Sequence, residues 1–167
     1  RVSGADFIGN IWGHLANSTD VHMDNIYTAN CAHSGLSSLL TGYGLTGEIM
    51  NARVEYCGFG FGPPGNKKFP TGGACIYYAA QAYLNIIGIS GDHNYGPTVK
   101  AQSIGGRRAQ NLTLSGVCSI GSFYTAQSGA DNAHFVFDGV DGLTATGITT
   151  YRNGVDTAYV AEFRGTN

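Results

Sequence analysis

The feature that most limits what this chain can fold into is a pattern that returns with a step of 26 residues. Asp24-Asn25-Ile26-Tyr27-Thr28-Ala29-Asn30-Cys31 is echoed by Met50-Asn51-Ala52-Arg53-Val54-Glu55-Tyr56-Cys57, with the asparagines (51 − 25) and the cysteines (57 − 31) both displaced by 26. The pattern recurs as Leu84-Asn85-Ile86-Ile87-Gly88-Ile89-Ser90-Gly91 and Gln110-Asn111-Leu112-Thr113-Leu114-Ser115-Gly116, whose asparagines are again 26 apart (111 − 85). A fifth copy, Asp141-Gly142-Leu143-Thr144-Ala145-Thr146-Gly147, carries glycine in the asparagine slot. A period of this length belongs to chains whose repeats bury their apolar faces by stacking on one another.

The exchange of asparagine for glycine has a physical reading, because these residue types most readily adopt the left-handed conformation that a sharp corner requires. Each repeat is therefore expected to turn at this slot, with Asn25, Asn51, Asn85, Asn111 and Gly142 stacked and their amides bonding from one level to the next. After the corner the residues alternate: Ile26, Ala52, Ile86, Leu112 and Leu143 are expected to point inward, and Tyr27, Arg53, Ile87, Thr113 and Thr144 outward. An antiparallel sandwich with Asn and Gly in its turns shares this composition, but the fixed period favours a coil of parallel strands. Two steps are long, 34 residues from Asn51 to Asn85 and 31 from Asn111 to Gly142, which places inserted loops at Gly58 to Gly73 and at Thr125 to Asn132. Such insertions commonly wall a groove on one side of a solenoid.

Length and composition fit one domain, residues 1–167: 43% of the chain is apolar, 12% is charged and 26 residues are glycine. Nine Lys and Arg, scattered over a chain of net charge -2, make no basic footprint, so neither a nucleic acid nor a membrane is expected as partner. The chain opens at Arg1 rather than Met and is expected to be a piece of a longer one. Cys31, Cys57, Cys75 and Cys118 form no CxxC pair, which argues against a zinc or redox motif. Cys31 and Cys57, at equivalent places on neighbouring levels, would point the same way and are expected to be unbridged core residues, as suits folding in a reducing compartment.

With the ladder residues Asn25, Asn51, Asn85 and Asn111 and the loop at Gly58 to Gly73, the chain resembles the pectin-lyase-like right-handed parallel β-helix proteins, and among them bacteriophage tailspikes. The resemblance runs from about Asp20 to Val155 and is one of architecture, with no catalytic motif matched residue by residue. It implies binding and cleavage of a bacterial surface polysaccharide by a homotrimer on the virion tail. Open edges at the first and last levels of a solenoid, which neighbouring sequence or partner chains must cover, point to the same assembly. Alternatives are a secreted lyase or hydrolase of the same fold, kept open by Arg53 with Lys67 and Lys68, and a non-catalytic adhesin or stalk. Calcium-dependent lyases of this architecture cluster their carboxylates; the acidic residues here are dispersed, so no metal and no cofactor is expected.

Hydrolysis of a glycosidic bond uses two carboxyl groups, which adjacent strands can supply without sequence proximity. The repeat places His22 over Glu48 ahead of the corner, Tyr27 over Arg53 beyond it, and Ala29 over Glu55. Glu48, Glu55, Asp92 and Asp138 are therefore the candidate catalytic residues, with His22, Tyr27, Arg53, Tyr56, Lys67 and Lys68 as candidate substrate contacts. Exposed residues of these types are more often plain surface. Asp92-His93 could be an acid/base couple or a polar turn, and Asp138 with Asp141 beside Gly139 could cap one. Tyr56, Phe59 and Phe61 at the base of the first loop offer flat faces on which sugar rings stack. Trp12, Tyr27, Tyr43, Tyr95 and Tyr124 also lie outside the clearest inward positions, although most aromatics in a β-protein serve packing.

Overall fold

The computed structural model describes residues 1–9, 12–15, 21–32, 34–38, 47–58, 74–79, 82–103, 106, 108–120, 133–151 and 159–165. Among them are strands and no helix: β1 (Val2–Ile8), β2 (Trp12–Leu15), β3 (Val21–Ala29), β4 (Ser34–Ser38), β5 (Gly47–Met50), β6 (Arg53–Glu55), β7 (Ala74–Ala79) and β8 (Ala82–Ile87). The second half adds β9 (Ser90–Asp92), β10 (Val99–Gln102), β11 (Ala109–Ser115), β12 (Cys118–Ile120), β13 (Ala133–Asp138), β14 (Val140–Thr146), β15 (Thr149–Tyr151) and β16 (Tyr159–Arg164).

Every strand pair among the described residues is parallel. Strand β3 bends at its middle: Val21–Asp24 pairs with β5 while Tyr27–Ala29 pairs with β6, and Asn25 between them has φ 54°. The strands thereby fall into three ladders, the first ordered β3-β5-β8-β11-β14, the second β3-β6-β9-β12-β15 and the third β2-β4-β7-β10-β13-β16, with β1 along both halves of β3. Successive passes of the chain visit the ladders in the same order, as a solenoid requires. An all-parallel arrangement needs such crossovers, because a tight hairpin cannot join parallel strands.

Inward rows build the core. Met23, Ile49, Ile86 and Leu114 line the first ladder, Ile26, Ala52, Ile89 and Val117 the second, and Leu36, Ile76, Val99 and Phe135 the third, all buried. The expected alternation holds: Ile26, Ala52, Ile86 and Leu112 are buried and Leu143 packs against the core, while Arg53, Ile87 and Thr144 are exposed. Cys31 and Cys57 are buried and not joined by a disulfide, as the repeat predicts.

The single asparagine ladder does not hold and divides into two corners. In one, Gly4, Asn25, Asn51, Gly88, Gly116 and Gly147 stack between the first and second ladders, all with positive φ; the Asn51, Gly88 and Gly116 amides donate to Ile87, Ser115 and Thr146 carbonyls at 2.8–3.0 Å. In the other, Tyr83, Asn111 and Gly142 share positive φ ahead of Leu84, Leu112 and Leu143. Asn85 stands in neither; it lies inside β8, paired with Glu48 and Thr113. The true step after Asn51 is 37 residues (88 − 51), not 34. Nor do amides bond to amides along the ladder: the Asn51 amide donates to the Asp24 carboxylate at 3.0 Å. The inserted stretches 59–73 and 125–132 lie outside the described residues.

Candidate functional site

Among the described residues, the second ladder carries the densest group of chemically capable side chains. Parallel register puts Arg53 between Tyr27 and Ser90, and Glu55 between Ala29 and Asp92. Because residues two apart share a face, Tyr27, Arg53, Glu55 and Asp92 all face outward. Adjacent strands lie about 4.8 Å apart, close enough for these side chains to meet.

Each carboxylate uses one oxygen on Arg53 and the other on a ring. Glu55 Oε1 pairs with Arg53 Nε, and its Oε2 accepts from the Tyr27 hydroxyl at 3.2 Å. Asp92 Oδ2 lies 3.6 Å from Arg53 Nη2, and its Oδ1 makes a short contact with His93 Nδ1. The Glu55 and Asp92 side chains are only 13% and 21% exposed, whereas Arg53 is 59% exposed, so the guanidinium forms a lid over two carboxylates set back in the surface. Burial, with the neighbouring Glu55 charge and hydrogen bond, raises the Tyr27 phenol above its ordinary 10.0, which keeps it a donor.

A third corner borders this group. Gly9, Asn30, Tyr56 and His93 end the four passes, each with positive φ between 48° and 73°, and their amides donate to the carbonyls of Ala29, Glu55, Asp92 and Ile120. Gly9 and Asn30 are residue types at ease in this conformation and His93 is of a type enriched there, whereas Tyr56, like Tyr83 at another corner, adopts it at a cost of roughly 1–2 kcal/mol. The Tyr56 and His93 rings stack on each other with centroids 5.6 Å apart and planes 20° from parallel.

The structure thus brings together Tyr27, Arg53, Tyr56, Glu55 and Asp92, two of which, Glu55 and Asp92, are candidate acids from distant stretches of sequence. It separates others. His22 and Glu48 are neighbours as expected, 3.4 Å apart, but on the first ladder beyond the Asn25 corner. Asp138 ends β13 on the third ladder, opposite Gln102 and Arg164. Lys67, Lys68, Phe59, Phe61, Tyr43 and Tyr124 lie outside the described residues, as does the Trp12 side chain. The sequence offers Asp92-His93 as an acid/base couple or a polar turn, without placing it beside Glu55 and Tyr56. The available signal was Gly88: with glycine admitted to the corner slot after Asn51, Asp92 falls on Glu55 and His93 on Tyr56 at one offset of 37 (92 − 55 and 93 − 56).

Chemically, two recessed carboxyl groups on neighbouring strands, a phenol donor and an aromatic edge can hold a polyhydroxylated ligand and exchange protons with it. Compared with protein-family models, with curated proteins and with solved structures, the chain matches none.

Proposed function

We propose that this chain is a segment of right-handed parallel β-helix that binds and hydrolyses a bacterial surface polysaccharide, in the manner of a phage tailspike that assembles as a trimer on the virion tail. The observation that carries the reading is the Glu55–Arg53–Asp92 arrangement: two carboxyl groups from separate passes, held side by side on one outward face. A right-handed coil is supported by the strong right-handed preference of crossovers between parallel strands in one sheet. Hydrolysis is favoured over lyase chemistry because Arg53, the cation a lyase would turn toward a substrate carboxylate, is already engaged with Glu55 and Asp92.

In this reading one carboxyl group protonates the leaving oxygen and the other acts as nucleophile or as base toward water. Tyr27 orients Glu55 and His93 orients Asp92. The test is incubation with purified bacterial capsular polysaccharides and lipopolysaccharide O-chains, following the appearance of reducing ends and the fall in chain length. Glu55→Gln and Asp92→Asn are each expected to lower turnover by several orders of magnitude while glycan affinity changes little, since the amide keeps the shape without the proton chemistry. Undiminished turnover in both variants rules out this site. Light scattering that finds a stable monomer at micromolar concentration rules out the trimer.

A further inference from the structure

We infer that the Glu55–Asp92 pair cleaves its glycan by double displacement, with Glu55 as nucleophile and Asp92 as acid and base, so that the anomeric configuration is kept. The inference rests on the glycan reading above and goes beyond it, since that reading leaves the second carboxyl group as either nucleophile or base toward water. What decides between the two is the space between the carboxyl groups. An attacking water needs about 6.5–9.5 Å between them, whereas direct attack by a carboxylate needs about 5–5.5 Å. Glu55 and Asp92 are cross-strand partners on β6 and β9, and adjacent strands lie about 4.8 Å apart. Both side chains lean to the same guanidinium: Arg53 Nε pairs with Glu55 Oε1, and Arg53 Nη2 lies 3.6 Å from Asp92 Oδ2. These two nitrogens lie on one edge of the planar group, so the carboxyl groups that meet them stand side by side, about 5 Å apart, with no room for a water between them.

The partners divide the roles. Both Glu55 oxygens are fixed, one by Arg53 and the other by the Tyr27 hydroxyl at 3.2 Å, which aims a carboxylate that must attack along one line. Asp92 lies against His93 Nδ1, a ring nitrogen that can exchange a proton with it, as suits a group that gives and takes one in each cycle. In the first step a Glu55 oxygen attacks the anomeric carbon. The bond from that carbon to the glycosidic oxygen breaks, and the leaving oxygen keeps the electron pair and takes the proton of Asp92. In the second step Asp92, now a carboxylate, takes a proton from water, whose oxygen attacks the anomeric carbon and expels Glu55 as a carboxylate. Two inversions at one carbon restore the original configuration. Arg53, more than half exposed, can turn aside for the incoming ring, because an exposed ion pair contributes little stability.

The experiment follows the wild type by proton NMR in deuterated buffer as it cleaves purified capsular polysaccharides and O-chains, reading the anomeric signal of the new reducing end before mutarotation equilibrates it. The first-formed end is expected to have the configuration of the linkage that was cut. An inverted first product overturns the double displacement while leaving a glycan hydrolase at this site. If none of the polysaccharides yields new reducing ends, the double displacement and the glycan reading fall together. Azide tests the roles in Glu55→Ala and Asp92→Ala, with melting temperatures confirming that both are folded. A small anion can enter the space of the lost nucleophile, so azide is expected to raise the turnover of Glu55→Ala by about tenfold or more and to form a glycosyl azide. Asp92→Ala, which lacks the proton for the leaving oxygen, is expected to stay inactive. Absence of the glycosyl azide from folded Glu55→Ala, or azide rescue of Asp92→Ala instead, overturns the assignment of roles.

Discussion

Replacing Thr28 with valine should make this protein more stable. Thr28 sits on β3 at an inward position of the second ladder, between Phe7 of β1 and Val54 of β6, and is fully buried. Its hydroxyl has no hydrogen-bond partner. A hydroxyl taken out of water without a partner costs about 1–3 kcal/mol in proteins. Valine has the same branched shape and a similar rotamer preference, so the exchange creates neither cavity nor clash, and the new methyl adds about 0.8 kcal/mol of apolar burial. Taking the lower part of each range, the gain is about 1–2 kcal/mol, and for a domain of this size each kcal/mol moves the melting temperature by about 2–4 °C. Urea denaturation of wild type and Thr28→Val, followed by far-ultraviolet circular dichroism, should show a higher midpoint with unchanged slope. A lower midpoint for Thr28→Val would refute the reasoning, because it would mean that the hydroxyl contributes a bond worth more than its desolvation.

The same inward row supplies the opposite case in Ser119, whose hydroxyl lies 2.5 Å from Thr98 Oγ1 and 2.7 Å from His134 Nδ1, all three side chains being buried. Ser119→Ala breaks both contacts at once and is expected to cost about 2–4 kcal/mol by the same denaturation assay. For Tyr27, the raised phenol pKa means that the folded state holds this proton more tightly than the unfolded chain, so the associated stability is present below pH 10.0 and is lost as pH rises through the folded value. Tyr27→Phe should remove one step above pH 10.0 from the phenolate absorbance titration and flatten that part of the stability profile. His22→Ala, on the other side of the Asn25 corner, is expected to leave glycan retention and turnover unchanged, because its ion pair with Glu48 is half exposed and lies off the candidate site.

The alternation of side chains was legible in the sequence even where the register was not, and the corner explains why. Met23 and Ile26 are both buried although three residues apart, because the left-handed residue Asn25 between them shifts the parity of the strand by one. Aligning Asn85 with Asn51 misplaces the pass by three residues (88 − 85), which carries an inward position after the corner onto an inward position before it. Ile86 was therefore assigned inward correctly, although its partner is Ile49 rather than Ala52. An error of one residue would have reversed every face. The pattern of buried residues is thus a weak witness to register in a chain that turns at left-handed corners.

The candidate site was half legible for the same reason. Tyr27, Arg53 and Glu55 follow from the 26-residue step between the second and third passes, where no insertion intervenes. Asp92 and His93 belong to the next pass, beyond the inserted stretch, and only a corner that accepts Gly88 in place of asparagine returns them to the row. Asparagine and glycine satisfy that corner by the same backbone conformation, yet only asparagine leaves a distinctive letter; the Asn85 side chain, one pass on, marks an ordinary strand position. What fixes the register is the backbone: the Asn51 amide on the Ile87 carbonyl and the Tyr56 amide on the Asp92 carbonyl set Glu55 beside Asp92, so Arg53 can hold both.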